Sequence, residues 1–210
     1  MFVNSEDIEN MDQRYRIALI NSITGFKSAN LVGTVDKNGI TNLNIVNSCV
    51  HIGANPPLIG FISRPHSVPR DTIENLEATG FYTINHVNKA IFRQAHQTSA
   101  RYPHDQSEFD ATGLTELWEN DFPAPYVQES IIRLGIKFRK KYHIDINNTD
   151  MIIGEIIQIR LPEDCLVENG SVDIERAGSM TISGLDRYHQ TQHIARLSYA
   201  KPDQPVQDIE

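Results

Sequence analysis

The chain has 210 residues, with 19 Lys and Arg against 27 Asp and Glu, a formal charge of −8 and a pI near 5.5. Such a length suits one domain with a well-formed core. The acidic balance, with no cationic run longer than Arg139-Lys140-Lys141, excludes nucleic acid as a partner, because phosphate neutralisation needs clustered cations.

Residues 1–27 read as an acidic N-terminal extension whose start, MFVNSEDIENMDQRYR, lacks the basic and apolar parts of a secretory signal. No apolar stretch approaches the roughly 18 residues of a spanning helix, so no membrane and a cytoplasmic location are expected. Leu31-Val32-Gly33-Thr34-Val35 reads as a strand, and Asn38-Gly39 after it supplies the positive φ angles of a tight hairpin. Its partner, residues 42–46, alternates polar with apolar as a strand covered on one face does. Residues 58–62, after Pro56-Pro57, form a more buried strand. Asp71-Thr72-Ile73-Glu74 offers an N-cap with an acid three places on, and Gly80 closes the resulting short helix.

Residues 81–85 alternate again, and a second helix is expected over 89–101. The polar loop 102–126 is long enough to act as a lid over one side of a pocket. Ile132, Leu134, Ile136 and Phe138 alternate with Arg133, Gly135, Lys137 and Arg139 in a half-exposed strand, with 151–161 as its long neighbour. Cys165-Leu166-Val167 and Val172-Asp173-Ile174 flank Asn169-Gly170, a second hairpin of the same turn chemistry. Residues 201–210, with two prolines and three acids, form an acidic tail expected to fray. Many β segments and two helices give a mainly β class, arranged as a barrel.

Chemistry concentrates in SRPHSVPRDT (63–72), between a buried strand and a helix start. Free backbone N–H groups at a helix N-terminus attract anions, and Arg64 and Arg70 supply charge-assisted forks to phosphate oxygens. The same residues also read as surface arginines pairing with Asp71 or Glu74. Asn47-Ser48-Cys49, followed by His51, Gly53 and Asn55-Pro56-Pro57, offers backbone donors to the edge of a planar ring, or is a loop satisfying its own backbone.

Four stretches carry a resemblance: NLVGTVDKNGITNLNIVNSCVHIGANPPLIGFISRP, RDTIENLEATGFYTINHV, HQTSARYPHDQSEFDATGL and TDMIIGEI. In this order and spacing the chain, over roughly 28–202, resembles the flavin reductase-like proteins with an FMN-binding split β-barrel. The resemblance implies Asn47, Ser48, Cys49 and Val50 along the isoalloxazine ring, and Ser63, Arg64, Arg70 and Thr72 at the FMN phosphate. It adds Thr98 and Ser99 in the loop after the second helix. It also implies a homodimer, a domain over 28–200, NAD(P)H as electron donor, and a partner monooxygenase or electron-transfer protein. The chain departs from many reductases of this family where they carry Gly-Asp-His, reading Thr149-Asp150-Met151 instead. That places the hydride donor in question and leaves the flavin. The alternatives are an FMN-carrying electron-transfer protein and a non-enzymatic split-barrel binding module.

His189 and His193 have the i, i+4 spacing that on a helix would let zinc bridge them, but no third ligand or metalloprotease Glu accompanies them, so no metal is expected. His51, His86 and His96 come near the flavin in the resembled fold, and no histidine is assigned as acid or base. Cys49 and Cys165 are expected as reduced thiols, with nothing beside Cys49 to lower its pKa. Neither a G-x-G-x-x-G nor a P-loop motif is present, so any nicotinamide binds without an adenine-nucleotide module.

Overall fold

The computed structural model describes residues 1–65, 71–119 and 121–209. The N-terminal extension forms two helices, α1 (Ser5–Asn10) and α2 (Gln13–Ser22). A capping box between Asn4 and Asp7 starts the first, and the Asp12 carboxylate accepts from Arg14 and Tyr15 N–H groups at the second. Neither helix buries a residue in this chain.

The body is a seven-stranded antiparallel sheet built from β2 (Asn30–Val35), β3 (Thr41–Val46), β4 (Val50–Ala54), β5 (Pro57–Ser63), β6 (Phe81–His86), β9 (Arg133–Ile144) and β10 (Thr149–Arg160). Its order is β3-β2-β6-β9-β10-β5-β4. The strands expected before residue 162 are all present, and β4 occupies residues read from sequence as a loop. Val32, Val46, Phe61, Tyr82, Ile84, Leu134, Ile136 and Ile152 share one core with Ile73 and Leu76 of α3 (Asp71–Thr79). Residues from β3 at one edge and β5 near the other meet in that core, so the sheet curls around it. The curl is fastened by Ser48, whose Oγ accepts from Ile62 N–H at 3.0 Å and donates to Ile62 O at 3.2 Å.

Both Asn-Gly turns fold alike, and differently from the tight turn expected. Only the glycines take positive φ, +89° at Gly39 and +85° at Gly170. The loops are three residues long, closed by Asp36 N–H to Ile40 O at 2.9 Å and Val167 N–H to Ser171 O at 2.8 Å. A type I turn followed by one left-handed glycine satisfies such a loop. The second turn carries only an isolated Leu166–Val172 bridge. The α3 helix ends as expected at Gly80, φ +81°, while its start adjoins residues 66–70, which lie outside the described residues, and Asp71 stands inside the helix.

The helix expected over 89–101 shrinks to α4 (Phe92–Gln97). Asn88 holds the preceding residues in a turn, accepting from Ala90 N–H and donating to Glu129 O. At the far end Thr98 turns its hydroxyl back to Ala95 O. The loop 102–126 is no lid: it contains α5 (Glu108–Thr112) and β7 (Glu116–Leu117), which pairs with β8 (Tyr126–Val127), and it packs against the sheet. Phe109 and Leu114 join Leu31 and Leu43 in a second core on the outer face. Residues 122–126 cross a cross-strand row of Gly33, Thr83 and Gly135, where Thr83 Oγ1 donates to Pro125 O at 2.6 Å. A Cβ on either glycine would collide with this segment.

A three-stranded sheet of β1 (Lys27–Ser28), β11 (Thr181–Ser183) and β12 (Arg187–His189) flanks the barrel. His189 sits in that strand, not on a helix, and no group of three potential metal ligands occurs among the described residues. The tail folds back on the segment before it, through Ser198 N–H to Gln207 O and Ile209 N–H to Arg196 O, each 2.9 Å.

Gly154 faces Tyr82, a side chain with no exposure, and a Cβ there would collide with the Tyr82 hydroxyl and with Ile136. Overpacking a filled core costs about 1–3 kcal/mol. Gly154→Ala is therefore expected to lower the unfolding free energy by that amount, read as a lower urea midpoint with the m-value unchanged, and an unchanged midpoint would contradict the packing described.

Candidate functional site

A cavity of about 690 Å³ opens between the end of β3, the end of β5, the start of α3, the end of α4, and the α2–β1 segment. Asn47, Ser48, Ser63, Arg64, Thr72 and Ser99, all singled out from the sequence, line it. They come from four separate stretches, so the fold gathers what the chain spreads over some fifty residues. Arg70 lies outside the described residues.

Three of the expected residues do not line the cavity. Thr98 is 2% exposed and fully engaged, accepting from Ile45 N–H at 3.0 Å and donating to Ala95 O at 2.8 Å. It ties α4 to an outer strand. Cys49 packs against the main core, and burial pushes its thiol up to about 12. Val50 begins β4 with an exposed side chain.

Among the described residues, Lys27 and Arg64 are the Lys and Arg side chains that line the cavity. Lys27 Nζ donates to Asn21 O at 2.9 Å and Gly184 O at 3.2 Å, and Arg64 Nη2 donates to Asn21 Oδ1 at 3.0 Å. Asn21 thus bridges both. Burial, and then the Arg64 charge, lower the Lys27 pKa from its ordinary value. Asn47 Nδ2 joins the same cluster through Gly184 O at 3.1 Å. A concave space of this size with convergent donors and two neighbouring cations suits an anionic, partly apolar ligand, and Ile45, Val46, Phe61 and Leu185 supply the apolar wall.

Sequence reasoning missed Asn21 and Lys27, having set residues 1–27 aside as an extension. The capping signals Asn4–Asp7 and Asp12 were the readable sign of helices there, but Tyr15, Ile17, Ile20 and Ile23 are all exposed and give no single buried stripe. Among the histidines, His96 lines the cavity and its Nδ1 pairs with Tyr188 Oη at 3.0 Å. His86 lies away from it, bonded to Ser179 Oγ, and burial lowers its pKa to about 4. His51 stands exposed on β4.

Residues 24–191 match the family described as "Flavin reductase like domain". The structure resembles that of a candidate flavin reductase with split barrel domain from Shewanella frigidimarina NCIMB 400, at a TM-score of 0.92 and 49% identity, covering 95% of this chain and 100% of that one. Nitrilotriacetate monooxygenase component B from Bacillus cereus shares the fold at a TM-score of 0.81 and 20% identity, covering 94% and 98%. Flavoredoxin of Desulfovibrio vulgaris does so at 0.69 and 22%, covering 85% and 91%.

The raised pKa of Cys49 makes its thiolate scarce near neutrality. Cys49 is half-buried, and native protein at pH 7.5 is expected to react with Ellman's reagent there more slowly than urea-unfolded protein; equal rates, resolved by peptide mapping, would show that packing against the core does not shield the thiol.

Proposed function

Because the chain belongs to the flavin reductase-like family, we propose that it binds FMN non-covalently in this cavity and acts as an oxidoreductase passing hydride from NAD(P)H to the flavin. The observation that carries this reading is one cavity joining an apolar wall to the Lys27–Arg64 cation cluster. Bound FMN would supply the redox chemistry, and the protein its orientation.

Ser63, Arg64, Arg70 and Thr72 are assigned to the phosphate, and Lys27 is added as a further cation beside Arg64. Main-chain groups of Asn47 and Ser48 are assigned to the polar edge of the ring, with Ser99 also on the cavity wall and Cys49 and Val50 left out of the contact. In this reading residues 28–200 form the cofactor domain, residues 1–27 complete its cavity, and 201–210 are a tail. A homodimer belongs to the proposal, supported by exposed Val50 and Ile52 on the outermost strand β4 and exposed Ile157 and Ile159 on β10. So do a cytoplasmic location and a partner monooxygenase or electron-transfer protein; no helix of the described residues is long and apolar enough to cross a membrane.

A second reading, an electron carrier reduced by another protein, draws on Met151. This half-buried thioether lies opposite Ile62 in the β5–β10 pair, where many relatives carry a histidine, and it can neither donate nor take a proton.

Anaerobic titration of FMN-loaded, desalted protein with NADH and separately with NADPH decides between these. Flavin absorbance that is retained and bleaches promptly supports the reductase, absorbance that persists supports the carrier, and absorbance lost on desalting supports a binding module of another kind. Replacing both arginines, Arg64→Ala with Arg70→Ala, is expected to weaken FMN binding by at least about tenfold, since charge-assisted hydrogen bonds are being removed. Unchanged affinity would refute the phosphate assignment.

A further inference from the structure

One buried polar chain runs from α5 to the cavity. Glu108 Oε2 accepts from Asn42 Nδ2 at 2.8 Å and from Leu43 N–H at 2.9 Å. Asn42 Oδ1 then accepts from Thr72 Oγ1 at 2.7 Å and from Thr34 Oγ1 at 3.4 Å, and Thr34 in turn accepts from Asn75 Nδ2 at 3.2 Å. All five side chains are at most 8% exposed, and only Thr72 reaches the cavity.

The direction of this chain follows from its ends. The Glu108 carboxylate oxygen already takes the Leu43 N–H, so it meets Asn42 as an acceptor and draws the amide NH2 toward itself. The amide oxygen is thereby turned toward Thr72. A threonine hydroxyl has one proton, and Thr72 gives it to Asn42. Thr72, which lines the cavity, then has no hydroxyl proton left to offer into it.

We infer that Glu108 and Asn42 act as a restraint on the phosphate cradle: they hold the Thr72 proton away from the cavity, so an anion bound there must break the Thr72–Asn42 bond to gain the Thr72 hydroxyl as a further donor. This rests on the reading of Thr72 as a phosphate contact. The restraint weakens FMN binding relative to a flavin without phosphate, and it makes Glu108 and Asn42 positioning residues for the cofactor although neither lines the cavity.

The test compares FMN with riboflavin, which lacks the phosphate, by fluorescence titration of the full chain. Asn42→Ala removes the competing acceptor and leaves the Glu108 bond to Leu43 intact. It is expected to tighten FMN about three- to tenfold, the range of one neutral hydrogen bond, with riboflavin unchanged. In a Thr72→Val background the same substitution should have no effect. Glu108→Ala, which frees the Asn42 amide to turn its NH2 to Thr72, should act in the same direction. Glu108→Gln, whose one amide oxygen can accept both bonds, should match the unaltered protein.

A loss of folded structure would affect both flavins, and the ligand-free melting temperature monitors it separately. Should Asn42→Ala weaken FMN, shift both flavins equally, or act equally with and without Thr72, the restraint does not exist. If the unaltered protein binds neither flavin, the flavin reading itself falls and the inference with it.

Discussion

The outer edge of β3 is the constraint on which the site depends. β3 pairs with β2 on one side only, and an unpaired edge leaves backbone N–H groups that need partners. Leu43 N–H is met by the Glu108 carboxylate and Ile45 N–H by the Thr98 hydroxyl. These two bonds fix α5 and the end of α4 against the sheet, and the chain between them follows. Burying Glu108 has a cost, visible in the upward shift of its pKa through desolvation, which the Leu43 bond partly opposes. The carboxylate persists there because the edge needs an acceptor, and the same atom orders Asn42.

From this edge the chain turns directly into the cavity wall. Asn44 to Ser48 line it, and Ser48 crosses to Ile62 to fasten the curl of the sheet. The opposite side of the barrel is filled by residues 122–126 lying on bare backbone at Gly33 and Gly135. That packing explains why the long loop cannot serve as a lid: its Phe109, Phe122, Ala124 and Tyr126 are all buried. Ile20, Asn21 and Thr24 from the N-terminal segment line the cavity instead.

What the sequence made legible was local and periodic. The alternation in 42–46, 81–85 and 132–139 named strands correctly, although 81–85 is covered on both faces, Tyr82 and Ile84 by the main core and Thr83 and Asn85 by residues 125–127. The chemistry of helix starts pointed to Ser63, Arg64 and Thr72, and the family resemblance to Asn47 and Ser48, all of which line the cavity. The errors share a cause. Thr98 looks like a site residue in one dimension, but in three it is the nearest hydroxyl to an orphan N–H of an edge strand. The loop 102–126 looked polar because its apolar residues are spaced irregularly, matched to a sheet face and not to any helical or strand period. The partners of Asn21 and Lys27 lie up to 157 positions away in sequence, which no local pattern reports.

Charge gives the remaining coherence. A chain of net charge −8 places two cations side by side at one end of a cavity, where Asp186 is the acid among the lining residues. Lys27 directs its ammonium to two carbonyl oxygens, and its pKa is lowered both by burial and by Arg64. Such a cluster disfavours its own charged state, and an anionic group held between the two cations relieves that repulsion. Ligand binding and folding are then coupled: an anion that binds only the native arrangement stabilises it by mass action. The hydroxyl of Thr72 works against that attraction at short range while the cations supply it at longer range, so the affinity of the site is set by the balance between a fixed field and one hydrogen bond that must be broken.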